Sequence, residues 1–549
     1  MLPVAVSPNT FLSRLRRRGA AWFAAGAASL VFVLTAIGIV DARASGPVEI
    51  KIISTNDIHD YLRPIYYRYL DDMKPWGPQS TEGDYLQKAD LEGKLGGMAH
   101  VATVIKRLRA EKPGATLLVD AGDTWHGAGF SVVDQGVSMV KIMNAIGYDV
   151  MTPGNWEFYY SKDHLLDLVE QANFPVIAFN VTDKDWDEPV FTPYVMKKVG
   201  GLNVAVIGLT YPWTALTSAV SGSAQWWKFG IREEAARDLI ARIREEHDPD
   251  LVVLVSHGGY GLDQKFAQRV DGIDVLVSGH THDPVFEPVV WNNTIVYQGG
   301  AHGKYVTNLD VTVENKKIVS FSYELVKVQQ SKIPPDAEIQ KLVDEAYAPH
   351  EKKLGEVIGH SNVMIYRRDY WQSPMGNMLS DALREMTGSD VAFFPAWRYG
   401  ATLLPGDITV EDVYNVIPTR GTINTFKMSG KSLKRLMNNT LNGFLDRDPY
   451  ARVGGDMIRF SGMALVYDMS RPYGERVVSL TVGGQDVEDE KEYSFASVHT
   501  RFQNNPLFGA THAEDTGRVF ADELIEYIRK NSPMSPSLDD RIAPVNGTS

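Results

Sequence analysis

The sequence predicts a layered α/β (α+β) domain over residues 45–330, joined by a helix over 331–354 to a smaller α+β domain over 355–549. Three observations predict it. Short apolar runs alternate with helix-period segments from Val48 to about Val326, and five of those runs end in Asp, Asn or His. A helix start at Pro334-Pro335-Asp336 then separates this part from a stretch with helices and β-rich segments of its own. The 549 residues also exceed the roughly 250–300 that one hydrophobic core supports, so two or three domains are required.

In chain order, the first element is an export segment over 1–44. Arg14, Arg16, Arg17 and Arg18 precede an uncharged stretch from Gly19 to Val40, and Ala42-Arg43-Ala44 before Ser45 fits a small-x-small cleavage site. The adjacent arginines resemble a twin-arginine signal, which predicts a periplasmic protein exported by the Tat pathway. At 22 residues the stretch is also long enough to span a bilayer of ~30 Å, so a membrane association is expected only if it is left uncleaved.

The apolar runs come next. Glu49-Ile50-Lys51-Ile52-Ile53 leads into Asp57 and His59, Thr116-Leu117-Leu118-Val119 into Asp120 and Asp123, and Tyr148-Asp149-Val150-Met151 into Asn155. Leu251 to Val255 leads into His257, and Ile273 to Val277 into His280 and His282. Five strands thus deliver polar residues just past their C-terminal ends, where layered α/β domains place their sites. Met98, Val101, Ile105 and Leu108, and later Leu239, Ile240 and Ile243, have the spacing of buried helix faces between those strands. The connecting helix carries Ile339, Leu342 and Ala346 on one face. The second domain is predicted to hold a helix over Met378 to Met386 and a β-rich stretch from Ile458 to Ser497 with a hairpin at Gly483-Gly484.

Composition narrows the chemistry. The formal charge of -13, or -17 for a chain cleaved before Ser45, makes nucleic acid an unfavourable partner. The absence of cysteine removes disulfides, thiolate metal sites and cysteine nucleophiles, so any metal is held by nitrogen and oxygen. Asp57-x-His59, Gly122-Asp123, Gly154-Asn155, His257 and Gly279-His280-x-His282 form the inventory that two divalent ions sharing a carboxylate require. Any one of these is an ordinary structural motif. Five of them in this order, each after a strand, point to a two-metal site.

These residues resemble the 5'-nucleotidase type of calcineurin-like metallophosphoesterase through Thr55-Asn56-Asp57-Ile58-His59, Gly122-Asp123, Gly154-Asn155-x-Glu157-Phe158 and Gly279-His280-Thr281-His282, and again at Gly376 to Arg384. The resemblance implies a four-layer β-sandwich flanked by helices, with Asp57, His59, Asp123 and His282 on one metal and Asp123, Asn155, His257 and His280 on the other. It also implies a bridging hydroxide as nucleophile. The nucleotidases have histidine where this chain has Trp156, and a Gly-Gly-Asp-Gly-aromatic stretch where it has Ser497 to Gln503.

Other strings are similar to the SoxB-type thiosulfohydrolases of periplasmic sulfur oxidation: Gly122-Asp123-Thr124-Trp125, Trp156-Glu157-Phe158, Phe229 to Glu234, Trp397-Arg398-Tyr399-Gly400, Asp448-Pro449-Tyr450 and Gly454 to Met457. That resemblance implies a dimanganese enzyme that hydrolyses sulfate from a cysteine S-sulfonate of a SoxYZ-like sulfur carrier protein. Besides the catalytic Asp123, Arg398 is the candidate clamp for a tetrahedral anion, because a guanidinium presents a matching fork. Trp156, His126 and Asp456 are the other candidate substrate contacts; His126 is expected to face the cleft, to support the metal ligands as readily as to act on substrate, a salt bridge between the domains is the alternative for Arg398, and a pairing of Asp456 with Arg459 is the plainer account of that loop. The alternatives are a periplasmic 5'-nucleotidase or other phosphoesterase, and a non-catalytic exported metal-binding protein.

Overall fold

The computed structural model describes residues 46–66, 89, 91–217, 222–367, 369–397, 400, 402–443, 445–453, 455–498 and 509–545. The expected export segment, Arg398 and the stretch from 499 to 503 lie outside the described residues. Among the described residues no helix is long and apolar enough to cross a membrane.

The first half contains β1 (Val48–Thr55), β2 (Thr116–Asp120), β3 (Val150–Met151), β4 (Thr182–Asp183), β5 (Tyr194–Val199), β6 (Leu202–Leu209), β7 (Trp227–Lys228), β8 (Leu251–Ser256), β9 (Val275–Ser278), β10 (Val289–Trp291), β11 (Thr294–Gln298), β12 (Tyr305–Glu314) and β13 (Lys317–Lys327). One sheet runs β13-β12-β1-β2-β3 and the other β10-β11-β9-β8-β6-β5, with β4 and β7 forming a separate ribbon. Strands β1, β2 and β3 are parallel to one another, as are β6, β8, β9 and β11. Their C-terminal ends therefore gather at one edge of each sheet.

The period of two along a strand explains the layering. Ile50, Ile52, Leu117 and Val119 meet Val204, Val206, Val253 and Val255 in a core between the sheets. Ile53 and Leu118 point the other way, onto helices Met98–Glu111 and Val137–Ile146. On the far side Val252 and Leu254 pack on Leu239, Ile240 and Ile243 of helix Glu233–His247 and on Phe266 of helix Tyr260–Arg269. The result is helices, sheet, sheet, helices, the four-layer architecture expected. Runs such as β8 read as continuously apolar because they are buried on both faces. At about 1.5–3 kcal/mol per fully buried aliphatic side chain, these strands are a stiff platform for the loops at their ends.

Asp336 caps helix Ala337–Tyr347, accepting from the Ile339 N–H. The buried residues of this helix are Ile339, Val343 and Tyr347, with Leu342 and Ala346 only half-buried. The expected stripe of Ile339, Leu342 and Ala346 packs on the core together with Val343 and Tyr347, whose ring stacks on Phe130 at 4.3 Å. Beyond it the predicted helix starts earlier, at Pro374, and runs to Thr387. A five-stranded sheet of Arg459–Ser461, Val391–Phe394, Glu492–Ser497, Thr422–Ser429 and Thr511–Val519 follows, with a four-stranded sheet beside it. Gly483 and Gly484 both have positive φ between Val482 and Gln485, the two-residue hairpin their sequence predicts.

The halves meet at several points. The Tyr450 hydroxyl donates to Glu233 at 2.8 Å and Lys265 pairs with Asp448 at 2.7 Å, so the strings Phe229 to Glu234 and Asp448 to Tyr450 lie together. The Gly129 N–H donates to Asn415 Oδ1, and Trp156 meets Trp397 edge-on at 5.7 Å.

Candidate metal centre

Seven residues named from the sequence, Asp57, His59, Asp123, Asn155, His257, His280 and His282, are brought to the common edge of the two sheets. The loops that carry them are forced close. A Cβ on Gly154 would sit 2.2 Å from Asp123 Oδ1, and one on Gly122 would sit 2.3 Å from the Gly154 N–H nitrogen, so only glycine fits at either place. The backbones are bent as well: Asp57, His59, Asp123, His280 and His282 all have φ between 51° and 75°. This left-handed region costs L-residues roughly 1–2 kcal/mol each, and such conformations concentrate at functional sites.

Hydrogen bonds aim the donor atoms. The His59 Nδ1–H donates to the His126 carbonyl at 3.0 Å and the His257 Nδ1–H to the Ala121 carbonyl at 2.6 Å, since a carbonyl can only accept. Each Nε2 therefore turns inward. Asp57 Oδ2 accepts from the His280 N–H and from Asn56, which leaves Oδ1 facing the histidines. Asp123 Oδ1 accepts from the Trp156 N–H at 2.7 Å, which leaves Oδ2 toward His257 and His59. The His280 ring lies flat on Tyr211, with centroids 3.9 Å apart.

The spacing of these atoms tests whether metal fits. With bonds near 2.1 Å, donors at right angles on one ion lie ~3.0 Å apart and opposed donors ~4.2 Å apart. The separations are 3.1 Å for His59 Nε2 to His282 Nε2, 3.1 Å for His282 Nε2 to Asp57 Oδ1, 3.0 Å for His257 Nε2 to Asp123 Oδ2 and 2.9 Å for His280 Nδ1 to Asn155 Oδ1. His59 Nε2 is 3.9 Å from both Asp57 Oδ1 and Asp123 Oδ2. These are the separations of donors sharing cations, and the donor set of imidazole, carboxylate and amide suits two of them. Asp123 Oδ2, within reach of both halves, is placed to serve both.

Electrostatics agree. Burial opposes a charge on His257, yet Asp123 and Asp57 beside it outweigh burial and hold the imidazolium up to about 10. Burial and the neighbouring His282 push His59 well below its ordinary value. The positive charge that the carboxylates demand thus rests on His257 as a proton. That proton is fully present below the ordinary imidazole value and is lost only as the pH rises through about 10. Loading with a divalent ion at pH 8 is accordingly expected to release about one proton per molecule. Calorimetry in two buffers of different ionisation enthalpy counts it, and zero release would contradict a charged His257.

The remaining candidates occupy different surroundings. Trp156 is buried against Tyr159, stacked at 4.3 Å, and stands edge-on to His59 at 6.1 Å, a wall beside the metal ligands. His126, expected to face the cleft, is instead packed among the rings of Trp156, Tyr159 and Tyr160, and burial pushes it down to about 3, so it is neutral. Its contribution to the site is the carbonyl that holds His59. Asp456 is buried with Arg459 at 3.9 Å, the pairing the sequence suggested.

Four residues have roles that the sequence did not assign to them. Glu157 Oε1 accepts the N–H groups of Thr124 and Trp125 and Oε2 those of Asp123 and Gly154, so one carboxylate ties two ligand loops together. Asp263 accepts from Ser256 and Ser278 hydroxyls at the ends of β8 and β9, and Asp120 from Thr55, Thr124 and the Gly122 N–H. Burial pushes all three carboxyls up to about 7. His302 stands past the end of a sixth strand, β11; its only signal was the Gly299-Gly300-Ala301-His302-Gly303 turn.

Against known proteins, residues 50–284 match the calcineurin-like phosphoesterase family and residues 357–511 the 5'-nucleotidase C-terminal domain. The 5'-nucleotidase of Bos taurus is 26% identical over 498 residues, covering 82% of this chain and 80% of that protein. The trifunctional nucleotide phosphoesterase protein YfkN of Bacillus subtilis is 26% identical over 537 residues, 86% of this chain, which spans 36% of that longer protein. Among solved structures, the Thermus thermophilus sulfate thiohydrolase SoxB superposes with a TM-score of 0.82 at 24% identity, covering 90% of this chain and 97% of that one, a likeness of fold.

Proposed function

We propose, for a chain that belongs to the 5'-nucleotidase-type calcineurin-like metallophosphoesterases, a dimetal hydrolase releasing sulfate from the cysteine S-sulfonate of a SoxYZ-like sulfur carrier protein. The observation that carries this reading is Trp156. Its N–H holds the shared carboxylate Asp123, and its indole, with Tyr159 and Trp397, fills the place beside the ligands where a proton donor would stand. His126 behind it is neutral and enclosed. An alkoxide leaving group needs a proton from such a donor, whereas a sulfur leaving group departs as thiolate or persulfide without one.

Two divalent ions held by the seven ligands, manganese by the SoxB resemblance, would supply the charge that polarises a tetrahedral oxyanion and lowers the pKa of water. The chain does the rest. A water oxygen bonds to the sulfonate sulfur and gives its two protons to solvent, the sulfur–sulfur bond breaks, its electron pair stays on the carrier sulfur as thiolate, and sulfate leaves. Trp156 and Trp397 exclude bulk water from that face, and Arg398 clamps the sulfonate oxygens. Export across the inner membrane through the segment over 1–44 belongs to the same reading.

The nucleotidase relatives favour a second reading, hydrolysis of nucleotides on the same centre. Sulfate release from an S-sulfonated carrier and phosphate release from AMP, measured on the same metal-loaded preparation, separate the two. The carrier reaction is expected to be faster by about 100-fold or more; the opposite ratio would reject the sulfonate. Trp156→His is expected to slow the carrier reaction by about 10-fold while adding little AMP hydrolysis, since an imidazole there loses the apolar wall. A large gain on AMP would mean that the rest of the pocket takes a nucleotide. Arg398→Ala should lower kcat/KM on the carrier by ~10-fold or more, because a charged hydrogen bond contributes ~1.5–3 kcal/mol. An unchanged kcat/KM in that variant removes Arg398 from the site.

A further inference from the structure

We propose that His302 is an additional metal ligand, giving the ion on the His59 side a third imidazole. One ring nitrogen from each of His59, His282 and His302 lies within 4.8 Å of the other two. Two of the three, His59 Nε2 and His282 Nε2, are 3.1 Å apart, the separation of neighbouring donors on one ion. The rings already converge: the His302 centroid is 5.6 Å from that of His59 and 5.2 Å from that of His282.

The backbone is built for this placement. The His302 N–H donates to the Asp57 carbonyl at 2.7 Å. Asn56, which also holds the Asp57 carboxylate, donates to the Gly300 carbonyl and accepts from the Gly299 N–H. The loop after β11 is therefore tied to the loop after β1 on both sides of a ligand. His302 has φ 60°, the left-handed conformation shared by His59, His280 and His282, and it is fully buried. A packing role alone would be met by any ring, without a strained backbone aiming an imidazole at two others. With His302 included, the two metal positions differ: three imidazoles with Asp57 and Asp123 on one side, two imidazoles with Asn155 and Asp123 on the other. A nitrogen-rich position favours zinc or iron relative to its oxygen-richer neighbour.

The inference rests on the dimetal reading, and the test separates the two. Wild type, His302→Phe and His302→Gly are loaded with manganese, dialysed, assayed for metal by mass spectrometry and examined by pulsed electron paramagnetic resonance for nitrogen coupled to the ion. Glycine accepts the left-handed backbone without offering a donor atom and phenylalanine keeps the ring volume, so one variant controls for loop strain and the other for packing. The expected result is two ions in the wild type, a loss of at least 10-fold in affinity for one ion in both variants, and one fewer coupled imidazole. Two ions at unchanged affinity in both variants, or weaker binding with an unchanged nitrogen count, would overturn ligation by His302 and leave the dimetal reading standing. A wild type that takes up no metal would remove both.

Discussion

Asp123→Ala abolishes turnover and lowers bound metal from two equivalents toward one or none. The expectation follows from the position of one oxygen, Asp123 Oδ2, 3.0 Å from His257 Nε2 and 3.9 Å from His59 Nε2. The other oxygen of the same residue is engaged by Trp156, and Asp57 Oδ1, 3.1 Å from His282 Nε2, stands farther from His257 at 3.9 Å. Truncation leaves His257 facing Asp57 alone at 3.9 Å, so the proton that Asp123 stabilised is weakened along with the metal. Elemental analysis after dialysis, with sulfate release from the loaded carrier, reads both effects. A variant with two ions and full activity would mean that the shared ligand lies elsewhere.

Glu157→Gln should be nearly as damaging although it touches no ligand atom. Each carboxylate oxygen accepts two backbone N–H groups, at 2.7 and 2.9 Å on one and 3.1 and 2.8 Å on the other. An amide nitrogen in either place faces two donors with a third, leaving two buried N–H groups unsatisfied at about 1–3 kcal/mol each. A loss of about 2–6 kcal/mol corresponds to a fall in Tm on the order of 5–20 °C for a domain of this size. Both loops that deliver Asp123 and Asn155 would loosen, so metal affinity falls as well. Calorimetric scanning and metal titration test it; a wild-type Tm with two tightly held ions would show that Glu157 is dispensable.

How far the sequence was readable depends on where the information lies along the chain. Asp57, Asp123, Asn155, His257 and His280 could be named because each follows an apolar run within a few residues, a local signal. Asp263 carries no such signal. It sits in helix Tyr260–Arg269, where an acid reads as solvated, and its role appears only when β8 and β9 lie side by side and bring Ser256 and Ser278 to it. His126 was placed in the cleft on spacing alone, but the rings of Trp156 and Tyr160 come from another loop and enclose it. The connecting helix was located by Asp336 and its inward face by Ile339, Leu342 and Ala346; Val343 and Tyr347 complete that face, and the stacking of Tyr347 on Phe130, more than 200 positions away, carries no local signal. Layer order followed from the runs themselves; pairing of distant loops did not.

The place of β1 in its sheet bears on how the protein is made. One edge of β1 pairs with β2, Lys51 opposite Thr116, but the other pairs with β12, Val48 opposite Val313. A ribosome adding about 5–20 residues per second needs roughly 10–50 s to pass from the first strand to its second partner. During that interval an Ile-rich strand has one unpaired edge, the kind of surface on which nascent chains aggregate. Every candidate ligand precedes β12 in the chain, so the sheet that carries Asp57 and Asp123 is completed only after all of them have been synthesised.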